Sequence, residues 1–284
     1  MASAYPANHL LGLIGAPIAH SASPAMHEAA GEALGLRCRY HLIEVAGASA
    51  DRLRTMLEGV RTLTFSGVNV TYPYKVAVVP LLDELDPSAG KVGAVNCVAV
   101  RDGRLIGFNT DCSGFKRGVR REIGDVAGQT IALIGAGGVG KAIGVALTES
   151  GVGRLNIVDR DAARAVELAA ALNAHGAAHV CATAEQALAG AHGLINATAV
   201  GMLPNRDSPA PFRLLRRDLW VADAVYQPLW TPLLLAAREK GAKVMTGREL
   251  AIDQAMDAFQ IFTGREPPRA AMAEAFDRVI AARG

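Results

Sequence analysis

The stretch Thr130-Ile131-Ala132-Leu133-Ile134-Gly135-Ala136-Gly137-Gly138-Val139-Gly140 decides how the second half of the chain folds. Its first five residues make a continuous apolar run of strand length, and the next six fit G-x-G-x-x-G. Alone, that pattern is weak. Here it follows a strand and opens a helix predicted over Lys141–Ser150. It also precedes a second strand, Arg154–Val158, that ends at Asp159, 19 residues beyond Gly140. Strand, glycine turn, helix and acid-terminated strand together form the fingerprint of a dinucleotide fold. Gly135 permits the tight turn, Gly137 lets the backbone approach a pyrophosphate, and Gly140 lets the helix pack closely on the sheet. With Gly138 and Val139 they form the expected cofactor loop, where the helix N-terminus offers N–H groups and a positive dipole end to phosphate. Asp159 can accept hydrogen bonds from both adenosine ribose hydroxyls and would repel a 2′-phosphate, which argues for NAD. Arg160 can pair with such a phosphate or stack on adenine, so NADP stays open.

Outward from this stretch the α/β rhythm continues in both directions. After Asp159 the reading is a helix over Ala162–Ala174, short strands at Leu194–Asn196, Leu219–Ala222 and Val244–Thr246, and helices over Glu249–Phe262 and Ala270–Ala282. Before it, strands are expected at Leu10–Gly15, Arg39–Val45 and Phe65–Val70. A helix opens at Ser23-Pro24, with Ser23 as its cap. Another runs over Ser49–Val60, and Thr71-Tyr72-Pro73-Tyr74-Lys75 leads into a further short helix. Asp102-Gly103 between Val95–Val100 and Arg104–Gly107 signals a hairpin. The fold class is therefore α/β with two domains: a mostly parallel-sheet domain and a Rossmann dinucleotide-binding domain. Residues 1–112, completed by helices within 249–284, form the first, and 113–248 the second. The hinges are expected near Cys112–Phe115 and Gly247, with the active cleft between the domains.

Composition narrows the function classes. The chain has 284 residues, 51% hydrophobic and 20% charged, with a net charge of +2. That is an ordinary globular balance with room for two domains. No Lys/Arg-rich block marks a nucleic-acid or membrane partner. No apolar run reaches the ~20 residues of a membrane span, and residues 1–10 lack the pattern of a signal peptide. The expected compartment is the cytoplasm. Cys38, Cys97, Cys112 and Cys181 have no zinc spacing or C-x-x-C pair, so they read as free thiols, and no metal is expected. The state is a monomer or a homodimer.

The chemistry concentrates in the first domain, in short polar groups at strand and helix ends. These are His20-Ser21-Ala22-Ser23-Pro24, Asn69-Val70-Thr71-Tyr72-Pro73-Tyr74-Lys75, Ala94-Val95-Asn96 and Asn109-Thr110-Asp111. Each has a plain reading as well. Lys75 can be a solvated helix start, Ser23 a cap, Asp111 the cap of a helix beginning at Ser113, and Asn96 and Asn109 partners for loop backbone. His20 and His27 read as structural.

As an ordered set these motifs resemble the shikimate dehydrogenase family, which carries His-Ser-x-Ser-Pro, Asn-Val-Thr-x-Pro-x-Lys, Ala-Val-Asn and Asn-Thr-Asp in this order. Asn196-Ala197-Thr198, Asp223-Ala224-Val225-Tyr226 and the helix bearing Gln254 follow the same pattern. The resemblance thus spans nearly the whole chain. It implies hydride transfer between NAD(P) and a ring hydroxyl of shikimate or quinate, at C3. It implies Lys75 as the acid/base group at that hydroxyl, with Asp111 beside it. Ser21 and Ser23 would bind the substrate carboxylate, and Thr71, Asn96, Tyr226 and Gln254 the carboxylate or the other hydroxyls. Thr198, Val225 and Gly247 would join Gly135–Gly140, Asp159 and Arg160 around the cofactor.

Lysine chemistry allows two roles. A free lysine titrates near ~10.4, a poor base at neutral pH unless desolvated, and a carboxylate neighbour favours the ammonium. The lysine is the base or an electrostatic stabiliser of the alkoxide. The chain departs from the family's biosynthetic members where they carry Asn-Arg-Thr: here stand Asp159-Arg160-Asp161. That places the resemblance nearest the NAD-using quinate/shikimate branch. Two alternatives remain: another two-domain NAD(P) oxidoreductase acting on a small acid, and a silent NAD-binding regulator.

Overall fold

The computed structural model describes residues 8–173 and 177–283. They fall into two compact units, one of Met1–Thr110 with Ile252–Gly284 and one of Asp111–Ala251.

The first unit opens with β1 (Asn8–Gly15), α1 (Ser23–Ala33), β2 (Arg37–Glu44), α2 (Ala50–Thr62) and β3 (Gly67–Val70). It continues with β4 (Glu84–Leu85), α3 (Pro87–Val92), β5 (Cys97–Arg101) and β6 (Arg104–Phe108). The sheet order is β2-β1-β3-β5-β6-β4. Pairing is parallel throughout except at β5, which is antiparallel to both neighbours. The β5–β6 hairpin turns on Asp102 and Gly103, at φ 50° and 74°. Two consecutive left-handed residues define the tight turn that suits strand twist. The reversal of β5 has a functional consequence. Residues that precede β5 lie at the same sheet edge as residues that follow β1, β3 and β6, so all four polar motifs gather at one edge.

Three local expectations are corrected here. Ser23 is the first helical residue rather than the cap. Ala22 holds the cap position without a side-chain bond, and the Ser21 hydroxyl accepts from Ser23 N–H instead. Lys75 does not lead into an α-helix: the chain after Val70 is a series of turns ending in a 3-10 turn at Val79–Leu81. The carbonyl that a helix would need from Lys75 is taken by Val95 N–H at 2.8 Å, and Val79 N–H bonds Val76 instead. Asp111 is itself the first residue of a helix rather than a cap for one starting at Ser113. A helix at Pro87–Val92 was unforeseen, although Asp86 caps it, Pro87 starts it and Gly93 ends it in the left-handed region.

The second unit runs α4 (Asp111–Glu122), β7 (Thr130–Ile134), α5 (Gly138–Glu149), β8 (Arg154–Val158), α6 (Ala162–Leu172) and β9 (Ala178–Val180). There follow α7 (Ala184–Leu188), β10 (Gly193–Asn196), β11 (Trp220–Asp223), α8 (Pro232–Glu239) and β12 (Val244–Met245). Residue 174, the expected end of the α6 helix, lies outside the described residues, as do residues 1–7. The sheet is wholly parallel, ordered β12-β11-β10-β7-β8-β9. That is the doubly wound order, with its reversal between β7 and β10. Ile131 and Leu133 enter one core with Ile143, Leu147 and Leu168, and Ala132 and Ile134 enter the other with Leu194, Leu233 and Leu234. A sheet buried on both faces explains why its strands read as continuous apolar runs. Helix α9 (Gly247–Thr263) begins in this unit and continues into the first, followed by α10 (Arg269–Ala281).

Candidate active site

At the motif edge of the first unit, backbone bonds fix the order of parts. Thr71 N–H bonds Ile14 and Ala16 N–H bonds Tyr72, each near 3.0 Å, joining the loops that leave β1 and β3. Tyr74 is buried; its hydroxyl donates to Val45 and accepts from Ala48 N–H, which pins the stretch carrying Lys75. The Lys75 carbonyl receives Val95 N–H, so its backbone is held one residue from Asn96. Lys75 itself is half-buried.

Asn96 is the hub of this edge. Its Oδ1 accepts from Thr110 N–H at 2.8 Å, and its Nδ2 donates to the Thr110 hydroxyl at 2.9 Å and towards Gln254 Oε1 at 3.5 Å. Asn96, just before β5, Thr110, just after β6, and Gln254 on α9 are thus brought together. Asn69 and Asn109 serve the scaffold. Asn69 accepts from the Tyr40 hydroxyl and donates to the Asn96 carbonyl, and Asn109 donates to the Ala94 carbonyl. Ser21 and Ser23 form a second group, hydroxyl to hydroxyl at 3.1 Å, at the start of α1. Asp111, 4% exposed, directly follows Thr110.

His27 lies one turn beyond Ser23, fully buried against Tyr40, Phe259 and Phe262. Its Nδ1 faces the Ser23 carbonyl at 2.9 Å, so that nitrogen carries the proton, and Nε2 has no partner. Burial holds its pKa down to about 4, partly opposed by that hydrogen bond. It is a neutral packing residue.

In the second unit the glycines separate by role. A Cβ on Gly140 would lie 2.0 Å from the Gly135 carbonyl oxygen, and one on Gly135, at φ 106°, would lie 2.8 Å from the Ala197 backbone. These two let the loop close on itself. A Cβ on Gly137 would meet nothing within 4 Å. Gly137 therefore keeps open space just before α5, whose first residues are Gly138 and Val139. That is the cradle a pyrophosphate requires. Asp159 borders it: Oδ2 accepts from Ala136 N–H at 2.7 Å and Oδ1 from Asp161 N–H at 2.8 Å. A carboxylate offers about four lone-pair sites, so both oxygens retain capacity for ribose hydroxyls. Arg160 is exposed, while Asp161 caps α6 through Ala163 N–H. The donor set and the open cradle fit a dinucleotide.

Thr198 follows β10, its hydroxyl donating to Asn196 Oδ1 at 2.7 Å. Val225 is buried after β11, and Tyr226 beside it is half-buried. Gly247 packs on this loop, where an added Cβ would stand 2.4 Å from the Val225 carbonyl oxygen. Among the described residues, no group of three or more His, Cys, Asp or Glu could hold a metal. The four cysteines are free thiols. No helix among the described residues is long and apolar enough to cross a membrane.

Residues 13–98 match the family model of the shikimate dehydrogenase substrate binding domain, and 118–203 match shikimate / quinate 5-dehydrogenase. Residues 247–275 match the shikimate 5′-dehydrogenase C-terminal domain. A quinate/shikimate dehydrogenase (NAD(+)) of Corynebacterium efficiens is 43% identical, over 91% of this chain and 94% of its own. The chain belongs to the shikimate dehydrogenase family. A shikimate dehydrogenase (NADP(+)) of Streptomyces avermitilis is 41% identical over 92% of each chain. The solved quinate dehydrogenase from Corynebacterium glutamicum in complex with NAD superposes with a TM-score of 0.87 at 42% identity, covering 95% of this chain and 99% of that one. As a shikimate dehydrogenase family member, the protein is an oxidoreductase.

This family member also holds polar residues to which the sequence reading gave no role. Asn196, Asp223 and Thr231 are buried at the ends of β10 and β11 and the start of α8. Burial raises the Asp223 pKa to about 7, against three donors that pull it back. Asn196 and Asp223 stood inside recognised motifs, but only the strand register brings them face to face.

Proposed function

We propose that this chain reversibly oxidises shikimate or quinate at the C3 hydroxyl, giving 3-dehydroshikimate or 3-dehydroquinate, with NAD preferred over NADP. The observation that carries the reading is the single sheet edge that holds both the Asn96–Thr110–Gln254 cluster and the Lys75 backbone, whose carbonyl accepts Val95 N–H, one residue from Asn96. When bound, the nicotinamide ring supplies the hydride acceptor. Lys75 and Asp111 act on the reacting hydroxyl: its proton leaves to this pair and then to water as the C–H bond breaks and a carbonyl forms. An ammonium at Lys75 also steadies the oxygen while negative charge develops there. Ser21 and Ser23 take the substrate carboxylate, which two hydroxyls held 3.1 Å apart can bind together. Thr71, Asn96, Gln254 and Tyr226 hold the remaining oxygens.

Cofactor preference rests on Asp159. Its carboxylate at the cradle accepts ribose hydroxyls and repels a 2′-phosphate, and the NAD-named relatives support this choice. Gly135–Gly140, Thr198, Val225 and Gly247 shape the cofactor site, with Arg160 at its rim. We take the cytoplasm as its compartment, and a monomer or homodimer as its state. Product analysis tests the proposal. After incubation of shikimate with NAD, NMR should show a C3 ketone conjugated to the ring double bond. Oxidation at another carbon would reject the assignment.

A further inference from the structure

The ends of β10 and β11 are tied by one buried carboxylate. Asn196 and Asp223 are the last residues of their strands and partners in register. Asp223 is 2% exposed, and three segments donate to it. Oδ1 accepts from Asn196 Nδ2 at 2.9 Å and from Val225 N–H at 2.9 Å, and Oδ2 accepts from the Thr231 hydroxyl at 2.8 Å. Asn196 extends the network into the next loop. Its Nδ2 also donates to the Val200 carbonyl, and its Oδ1 accepts from both the N–H and the hydroxyl of Thr198. Thr231 caps α8 through Leu234 N–H. Gly247 closes the far side of the Val225 carbonyl.

These bonds fix two loops, 197–200 and 224–226, at the carboxyl edge of a parallel sheet, where open α/β sheets take their ligands. Strand order says which part of a dinucleotide lies there. The phosphate cradle follows β7, and Asp159, on the β8 side, would face the adenosine ribose. β10 and β11 lie on the opposite side of β7, where the nicotinamide half would extend. A buried carboxylate is a costly way to join strands, since apolar residues of similar volume often stabilise as well or better. The positions it controls supply a reason for it.

We propose that Asp223, acting through Asn196 and Thr231, is the positioning residue that sets Thr198 and Val225 to receive the nicotinamide half of the cofactor. This rests on the dinucleotide-binding reading of the second unit. Asp223→Asn keeps an oxygen for Val225 and Asn196 and presents an amide to the Thr231 oxygen, so it should recover most of the geometry. Asp223→Ala removes all three bonds.

Calorimetric titration of the full-length protein with NAD and, separately, with ADP tests the proposal. ADP reaches only the cradle and the Asp159 side. Asp223→Ala should weaken NAD about tenfold or more, ~1.4 kcal/mol, while ADP changes less than about twofold. Asp223→Asn should return NAD affinity towards wild type, and kcat should fall in Asp223→Ala with the substrate KM little changed. Thr231→Val, compared with Thr231→Ser, gives the same contrast if Asp223→Ala does not fold. Wild-type NAD affinity in a folded Asp223→Ala, or in Thr231→Val, would overturn the proposal. So would equal loss of NAD and ADP. A wild-type protein that binds neither nucleotide would remove the dinucleotide reading itself, a result distinct from these.

Discussion

Replacing Gly137 with alanine separates the fold from its ligand. The backbone there has φ −74° and ψ −168°, which alanine adopts freely, and the new Cβ would meet no atom within 4 Å. Stability should therefore change by no more than ~0.5 kcal/mol, or rise slightly as the unfolded chain loses freedom. The methyl group would instead occupy the space into which a pyrophosphate must come. Inserting a methyl into a filled contact costs roughly 1–3 kcal/mol, about 5- to 150-fold in Kd. Gly140→Ala is the contrast. Its Cβ would stand 2.0 Å from the Gly135 carbonyl oxygen, so the loop itself must move and stability must fall. Urea unfolding without ligand, followed by NAD titration, reads both quantities. A Gly137→Ala protein that keeps wild-type NAD affinity, or that loses stability as Gly140→Ala does, would refute the assignment of this space to the cofactor.

Lys75→Met should lower kcat by about 10²–10⁴ while NAD affinity stays within error, measured by steady-state kinetics and titration; a small loss confined to KM would remove Lys75 from the chemistry. Asp159→Asn keeps one acceptor and sets an amide against either Ala136 N–H or Asp161 N–H. It should cost about 1–3 kcal/mol in unfolding and shrink the NAD-over-NADP ratio at least several-fold, and an unchanged ratio would contradict the role given to its charge. His27 makes stability depend on pH. Its folded pKa of about 4 lies below the unfolded value of about 6.5, so the unfolded chain binds more protons between them. Stability present above pH 6.5 is lost as pH falls, by ~3 kcal/mol below pH 4. Urea unfolding across that range should show a flatter profile in His27→Leu, and parallel profiles would reject it.

The parts legible in sequence were those that local physics decides. β7 and β8 show as apolar runs because both faces of their sheet are covered, and the glycine loop shows because Gly135 and Gly140 have no room for a Cβ. Asp102-Gly103 announced its hairpin. The polar motifs were visible as strings, and the hairpin made β5 antiparallel to β6, but the pairing of β5 with β3 that gathers them at one edge was not visible. The stretch after Lys75 misled because a carbonyl expected inside a helix goes to Val95, 20 residues away. Asp161 caps α6, a role its place before an Ala-rich run could have suggested. The Asp223 network joins residues 8 and 27 positions apart through strand register and a helix cap, which no local pattern reports.

Mixing the protein with shikimate or quinate, each with NAD or NADP, and following reduced nicotinamide by absorbance tests the central claim most directly. The account predicts turnover with at least one of the two acids, with NAD exceeding NADP by about tenfold or more, ~1.4 kcal/mol of discrimination. No reduction in any of the four mixtures would contradict it.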